Sequence, residues 1–189
     1  MDLFSIEDLR AAGYSAEELR DEMNYDSAVL RGGGYSVEEL FAGGYSVQEM
    51  RQGGFTAADL SLGGYSMNAL REGRYTTGEL RACNYGAEVL FEGGYTVHDL
   101  CAGGYTAREL RSTDVVGAME LRECGFTAQA LVEGGFSVPS LREGCFTAKE
   151  LRQDGCSALV LFEEGGYMLH DLYEAGYTAG ELRSAGFGI

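Results

Sequence analysis

Residues 33–50 read GGYSVEELFA followed by GGYSVQEM, so a phrase of ten residues is succeeded at once by a near copy of itself. The two copies share the paired glycines, the tyrosine, the serine, the valine and a glutamate. A phrase that recurs at a fixed spacing is the signature of a repeat architecture, in which each copy is one structural unit. We therefore expect the physics of this phrase to decide the fold of the chain.

The phrase extends over nearly the whole chain of 189 residues. An aromatic residue opens almost every copy, and the copies follow one another at ten residues with three steps of eleven. Eighteen complete copies and a final fragment open at Phe4, Tyr14, Tyr25, Tyr35, Tyr45, Phe55, Tyr65, Tyr75, Tyr85, Tyr95, Tyr105, Val116, Phe126, Phe136, Phe146, Cys156, Tyr167, Tyr177 and Phe187. This pattern predicts a single repeat-solenoid domain over residues 1–189.

One copy contains the signals that start and stop a short helix. Ser15 followed three residues later by Glu18 is a capping box, in which each side chain bonds to the other residue's backbone amide. Tyr14 before the cap and Leu19 after it are placed to form a hydrophobic staple. Arg20 would lie near the C-terminus, where a cation interacts favourably with the helix dipole. The glycines that follow supply a left-handed stop, so each copy predicts one helix of about two turns.

Departures from the consensus follow the same logic. Gly86 and Gly117 stand at the N-cap position, where glycine is tolerated, and Met168 alone breaks the pattern there. Pro139, the single proline, falls in the first turn of its helix, where a missing amide costs nothing. Asn84 replaces a glycine at a helix stop, and asparagine is the next most suitable residue.

A β-helix is the alternative fold. Apolar residues recur every five positions, and residues 58–62, ADLSL, resemble one coil of the pentapeptide-repeat family, which folds as a quadrilateral right-handed β-helix. That family needs a small residue two places before the central leucine. Glu38 and Arg108 occupy this place here, and neither could face a narrow coil interior. The helical interpretation is therefore favoured.

Isolated helices of two turns are unstable, so the copies must stack into an α-solenoid that buries the aromatic, the small residue and the leucine. The number of helices in each turn of the solenoid is left open. Related blocks at a longer period lie near 24–51, 84–111 and 155–183. They carry unusual apolar residues at Val29, Phe41, Val89, Phe91, Val160 and Phe162. We expect these to form a second buried seam, with a partner-binding patch as the alternative.

Composition limits the classes of partner and the location. The formal net charge of −16 disfavours binding to nucleic acid or to anionic membranes. The five cysteines show neither metal-ligand spacing nor a paired framework, which is typical of reduced thiols in the cytoplasm. No apolar run approaches the roughly 18 residues of a membrane span. The acidic start, MDLFSIEDLR, does not resemble a signal peptide, so we expect a cytoplasmic protein.

The residues with catalytic potential have simpler explanations. His98 and His170 occupy equivalent places, each followed by an aspartate, Asp99 or Asp171. A general base or a metal pair is conceivable, but duplication of one repeat already explains the coincidence, and the aspartates fit the capping box. The serines are needed for capping. We therefore expect no enzyme activity, no cofactor and no metal site.

A constant frame with variable exposed positions is how repeat proteins present a binding surface. The position two after each N-cap residue varies most, and the candidate partner-binding residues are Glu38, Gln48, Asn68, His98, Arg108, Lys149 and His170. They favour a non-catalytic scaffold for protein–protein interaction or structural assembly.

The alternative function is an acidic, nucleic-acid-mimicking inhibitor of a protein with a basic groove. The arginine that follows most leucines would neutralise the acidic ladder, which such a mimic should avoid. Because neither end shows a dedicated capping repeat, self-association through the ends is a further expectation.

Overall fold

The computed structural model describes residues 4–113 and 116–188. The chain divides into two compact units, Met1–Tyr95 and Thr96–Ile189, and each is described by itself below. Within the described residues the chain forms eighteen α-helices and no β-strand. The predicted all-α solenoid is confirmed in fold class, and the β-helix alternative is not supported. A single domain over 1–189 stays a prediction.

The helices are short and follow one another at the spacing of the repeat. The first unit contains α1 (Ile6–Ala11), α2 (Ala16–Asp21), α3 (Ser27–Gly32), α4 (Val37–Ala42), α5 (Val47–Gln52), α6 (Ala57–Leu62), α7 (Met67–Glu72), α8 (Thr77–Ala82) and α9 (Ala87–Glu92). The second contains α10 (Val97–Ala102), α11 (Ala107–Arg111), α12 (Ala118–Glu123), α13 (Ala128–Glu133), α14 (Val138–Glu143), α15 (Ala148–Gln153), α16 (Ala158–Glu163), α17 (Leu169–Glu174) and α18 (Ala179–Ser184). None of these described helices has the length and apolar character needed to cross a bilayer.

Most of the described helices begin with the side-chain cap that the sequence predicts. At α2 the Glu18 amide donates to the Ser15 hydroxyl at 3.2 Å, and the Ser15 amide donates to the Glu18 carboxylate at 2.8 Å. Gly86 and Gly117 occupy the N-cap with no side-chain bond. Met168 has no oxygen to offer, but its amide still donates to the Asp171 carboxylate at 2.8 Å. The side-chain caps therefore set the helix starts at most repeats.

Most of the described helices end in a Schellman motif, which the residue that opens the next repeat completes. After α3 the Tyr35 amide donates to the Leu30 carbonyl at 3.0 Å and the Gly34 amide to the Arg31 carbonyl at 3.0 Å. Gly34 adopts the left-handed φ of 83° that this motif requires. The next residue is Ser36, the cap of α4, so Tyr35 ends one helix and immediately precedes the next.

Alternate helices stack on each other. In the first unit α1 contacts α3, α2 contacts α4, and the pattern continues to the contact between α6 and α8. In the second unit the same pattern begins with the contacts of α10 with α12 and of α11 with α13, and it ends with the contact of α16 with α18. The odd-numbered helices of each unit thus form one column, called the odd column here, and the even-numbered helices form the even column. This arrangement places two helices in each turn, which is the number that the sequence left open.

The two glycines of the phrase have different roles. The second, such as Gly44 with φ 77°, supplies the left-handed residue. The first, such as Gly43, lies so close to the helix two positions earlier that a Cβ would meet the Ala16 Cβ at 2.9 Å and the Glu17 amide nitrogen at 2.9 Å. Gly134 approaches Ala107 in the same way, at 2.7 Å. Both glycines were expected to serve the helix stop, whereas the first one permits close stacking.

Leucines and tyrosines form the interior of both columns. Leu80 and its counterparts at the fourth helical position are fully buried, and so is Met50, which takes the same place on α5; only Leu9 and Leu182 in the terminal helices are slightly exposed. The Tyr75 hydroxyl donates to the Phe55 carbonyl at 2.6 Å, and the Tyr95 hydroxyl donates to the Tyr75 carbonyl at 2.6 Å. Each such bond joins one level of a column to the level below and satisfies a buried hydroxyl.

Truncation of Leu80 to alanine tests the assignment of faces. We expect Leu80→Ala to lower the free energy of unfolding by about 2–5 kcal/mol, because it opens a cavity at a position that is fully buried. Chemical denaturation with circular dichroism measures the change.

The matched control is Glu38→Ala, which alters an exposed side chain and should shift stability by no more than about 0.5 kcal/mol. Equal losses in the two variants would contradict the assignment of the leucine to the interior.

Candidate protein-binding surface

In many repeats an arginine follows the buried leucine and joins its helix to a turn two repeats later. The Arg51 guanidinium donates to the Arg74 carbonyl and lies 3.2 Å from the Glu79 carboxylate. Its Cζ is 4.6 Å from the centre of the Tyr75 ring. We call this set, an arginine with a carbonyl, an aromatic ring and a capping acid, the arginine clamp. The same contacts recur in both units at Arg10, Arg20, Arg31, Arg122 and Arg152.

The capping acids therefore belong to the frame and not to the free surface. Partial burial tends to raise the pKa of Glu79, but the Thr76 amide and hydroxyl and the Arg51 guanidinium outweigh it and lower the pKa overall. Glu150 shows the same balance with Thr147 and Arg122. A carboxylate held by a cap and a clamp has little capacity left for a partner.

Phenylalanine replaces the clamp arginine in three repeats, at Phe41, Phe91 and Phe162. The Phe41 ring meets the Tyr65 ring edge-on, with centroids 4.6 Å apart, and Phe162 meets Phe187 at 4.6 Å in a similar way. An aromatic pair thus substitutes for the cation–ring contact. Phe41 is 49% exposed and Phe162 39% exposed, and Val29 and Val89 are exposed as well. The expected second buried seam is therefore wrong at these four positions.

All seven candidate residues lie at the second helical position, called N2 here, and all are exposed. They are Glu38 on α4, Gln48 on α5, Asn68 on α7, His98 on α10, Arg108 on α11, Lys149 on α15 and His170 on α17. The structure brings them together only in part. Those on odd-numbered helices share the odd column of their unit, whereas Glu38 and His98 lie on the even columns.

Sorting by column separates the N2 residues of helices α11 to α17 by chemistry. The odd column carries the polar row, which consists of Arg108, Gln129, Lys149 and His170. The even column carries the apolar row, which consists of Met119, Pro139 and Leu159. Met119 is 47% exposed and Leu159 41% exposed.

Sequence reasoning missed the apolar row because consecutive repeats alternate between columns. Its members stand 20 residues apart, so reading every second repeat would have found them.

Grooves between stacked levels run beside several of these residues. Gln48 lines a groove of about 370 Å³ together with the Phe41 and Tyr65 rings. Lys149 lines another of about 430 Å³ beside Phe146 and Tyr167. Each groove combines an aromatic wall with exposed polar groups. This is the composition of a surface that binds a protein segment, in which a few polar groups orient apolar contacts.

The two histidines have different neighbours. The His170 Nε2 lies 3.2 Å from the Glu174 carboxylate one turn later, and the His98 Nδ1 lies 3.7 Å from the Cys124 Sγ. Asp99 accepts from the Thr96 amide at 2.8 Å, as a capping residue does. Across the described part of the chain, no three histidine, cysteine or acidic side chains are grouped so that they could hold a metal ion. The aspartate contacts support the capping interpretation of the His–Asp pairs.

Substitution of a clamp arginine tests whether its geometry matters beyond its charge. We expect Arg51→Lys to lower the free energy of unfolding by about 1 kcal/mol, because lysine keeps the charge but loses the planar fork and most of the ring contact. Arg51→Phe should cost less, since it recreates the natural pair of Phe41 and Tyr65. Thermal unfolding measures the stability of both variants. A lysine variant as stable as the wild type would contradict the role of the planar guanidinium group.

Acid should destabilise the fold through the capping acids. Their pKa values in the folded state are lowered, as at Glu49, Glu79, Glu150 and Glu181, so their contribution is complete above the unfolded carboxylate pKa, about 4.3. It is lost as the pH falls through the folded values. We expect a Tm that is constant near neutrality and falls below about pH 4.5. Glu79→Gln should reduce the slope of this decline, and an unchanged slope would contradict the assignment.

Comparison with known proteins gives one match. No curated protein and no solved structure matches the chain. The model of a family described as a decapeptide repeat region matches residues 24–82 and 116–189, well over half of the chain. The ten-residue helices and turns described above are the structural form of that repeat. The chain belongs to the decapeptide repeat region family.

Proposed function

We propose that this protein is a non-catalytic repeat scaffold that binds a protein partner through the exposed N2 residues of its helices. One observation carries the proposal. Every candidate residue at N2 is exposed, while the leucines are buried and many capping acids and arginines are engaged with each other. The N2 side chains can therefore change without cost to the frame, which is the property that a binding surface requires.

The second unit offers two surfaces of different chemistry. Met119 and Leu159 of the apolar row are more than two-fifths exposed, and burial of such side chains by a partner removes apolar area from water. Methionine and aromatic residues are enriched at the centres of interfaces, with polar groups at the rim. The apolar row therefore supplies the anchors, and the cations of the polar row supply contacts for acidic groups of the partner.

The arginine clamps argue against a nucleic-acid mimic. A mimic needs carboxylates that are free to face a basic groove, but Arg10, Arg51 and Arg122 each pair with a capping acid at 3.0–3.2 Å. Pairs at such exposed sites contribute at most about 1 kcal/mol to stability, yet they remove charge from the ladder. This arrangement favours the scaffold. The cytoplasmic location and the self-association through the ends rest on the sequence alone and remain part of this proposal.

Affinity capture followed by measurement with the purified partner tests the function. The full chain is used as bait in a lysate of the native source, and the enriched protein is then produced separately. Its affinity is measured by calorimetry for the wild type and for two triple variants. One variant changes Met119, Pro139 and Leu159 to serine, and the other changes Arg108, Lys149 and His170 to alanine.

We expect at least a tenfold loss of affinity in one of the two triple variants, with circular dichroism and Tm close to those of the wild type. The variant that retains binding serves as the matched control for the other. Unchanged affinity in both variants would overturn the proposal, as would the absence of any enriched protein. Displacement of the partner by heparin would identify a basic groove and favour the inhibitor instead.

A further inference from the structure

Two cysteines meet where other repeats form an arginine clamp. Cys101 follows the buried Leu100 and so occupies the clamp position of α10. Cys124 is the C-cap residue of α12 and stands 23 residues later, the same spacing that joins Arg51 to the Arg74 carbonyl. Because α10 and α12 stack in the even column, the two thiols are neighbours. The stacking of alternate helices thus creates a pair that the linear sequence conceals.

A histidine completes the cluster. His98 lies one turn before Cys101 on α10, and its Nδ1 is 3.7 Å from the Cys124 Sγ. Both cysteines are partly exposed, so small solutes can reach them. Two of the other thiols bond to backbone: Cys83 donates to the Glu79 carbonyl at 3.3 Å and Cys145 to the Glu143 carbonyl at 3.8 Å.

We propose that Cys101, Cys124 and His98 form a redox site, in which a hydroperoxide oxidises Cys124 and Cys101 then closes a disulfide that joins α10 to α12. Cytoplasmic disulfides of this kind are usually transient and serve as sensors, unlike the structural disulfides of secreted proteins. Oxidation-sensitive cysteines are commonly accessible and lie beside a resolving cysteine, as these do.

The order of the two cysteines follows from their surroundings. Burial, with the hydrogen bond to Cys124 as a second cause, raises the pKa of Cys101 to about 12. Cys101 therefore keeps its proton. The His98 Nδ1 lies 3.7 Å from the Cys124 Sγ and is placed to take up the Cys124 proton as that sulfur reacts. The thiolate is the nucleophile in such reactions, so Cys124 reacts first.

The chemistry is balanced in two steps. The Cys124 thiolate attacks one oxygen of hydrogen peroxide, the O–O bond breaks, and the departing hydroxide takes the proton held on His98 to form water. Cys124 is now a sulfenic acid, and the peroxide has been reduced by two electrons. The Cys101 sulfur then attacks the Cys124 sulfur, and the S–OH bond breaks. The hydroxyl group leaves with the Cys101 proton as a second water, and the disulfide remains.

The bond would change the unit that carries the apolar row. It would connect α10 with α12, the helix that presents Met119, and it would close a loop of 24 residues including both cysteines. A cross-link of this length restricts the unfolded chain and stabilises the fold. We expect the oxidised protein to unfold at a higher temperature than the reduced protein, by several degrees.

Peroxide treatment of the full chain, followed by alkylation and mass spectrometry without reductant, tests the proposal. We expect a linked peptide pair that contains Cys101 and Cys124, formed at least tenfold faster than any other cysteine is oxidised. Cys101→Ser should leave a sulfenic acid at Cys124 that dimedone labels. Cys83→Ser is the matched control and should form the same disulfide at the wild-type rate.

The role of His98 is tested by His98→Gln, with His170→Gln as its matched control. The first should slow disulfide formation at least threefold, and the second should leave the rate unchanged. Random pairing among the five cysteines, or equal oxidation of Cys124 and Cys83, would overturn the site. An unaffected rate in His98→Gln would overturn the assigned role of the histidine.

Discussion

Stacking between alternate helices is the interaction on which the rest of this structure depends. A helix of six residues cannot persist alone, because the cost of its first turn is never recovered by propagation. Each helix is held by the helix two positions away, through a buried leucine, a tyrosine hydroxyl that bonds to the level below, and a glycine that lets the backbones approach. Gly43 illustrates the last requirement, since any side chain there would collide with Ala16 and with the backbone of Glu17. Caps define where the helices begin, and stacking makes them stable.

The same stacking separates the frame from the surface. Stacking places each clamp arginine against an aromatic ring, a backbone carbonyl and a capping acid of later repeats. Arg51, for example, contacts the Tyr75 ring, the Arg74 carbonyl and the Glu79 carboxylate. These charges are thereby engaged within the protein, and the N2 side chains are left exposed. Where phenylalanine takes the clamp position, as at Phe41, an aromatic pair preserves the connection and leaves part of the ring in solvent.

Two proposals rest on this arrangement, and each uses a different consequence of it. Two helices in each turn bring together residues that are about twenty positions apart, so Met119, Pro139 and Leu159 form one row and a partner can contact them jointly. A residue at the clamp position contacts a turn about 23 residues later, and this spacing places Cys101 beside Cys124. The family match supports the repeat, while the partner and the redox chemistry are inferences from the geometry.

The local structure was predictable from the sequence, because its causes lie within ten residues. Ser15 and Glu18 specify a helix start, and Gly44 and Asn84 specify stops, through bonds and backbone preferences that need no distant partner. The column arrangement was not predictable, because it depends on how the helices pack, and one helix or several in each turn are equally compatible with the repeat. For this reason the seven candidate residues could be identified as exposed but not sorted into surfaces, and the apolar row and the cysteine pair were missed. Phe41 and Phe162 were expected in a buried seam, but in the tertiary structure each packs against one aromatic ring and leaves part of its surface in water.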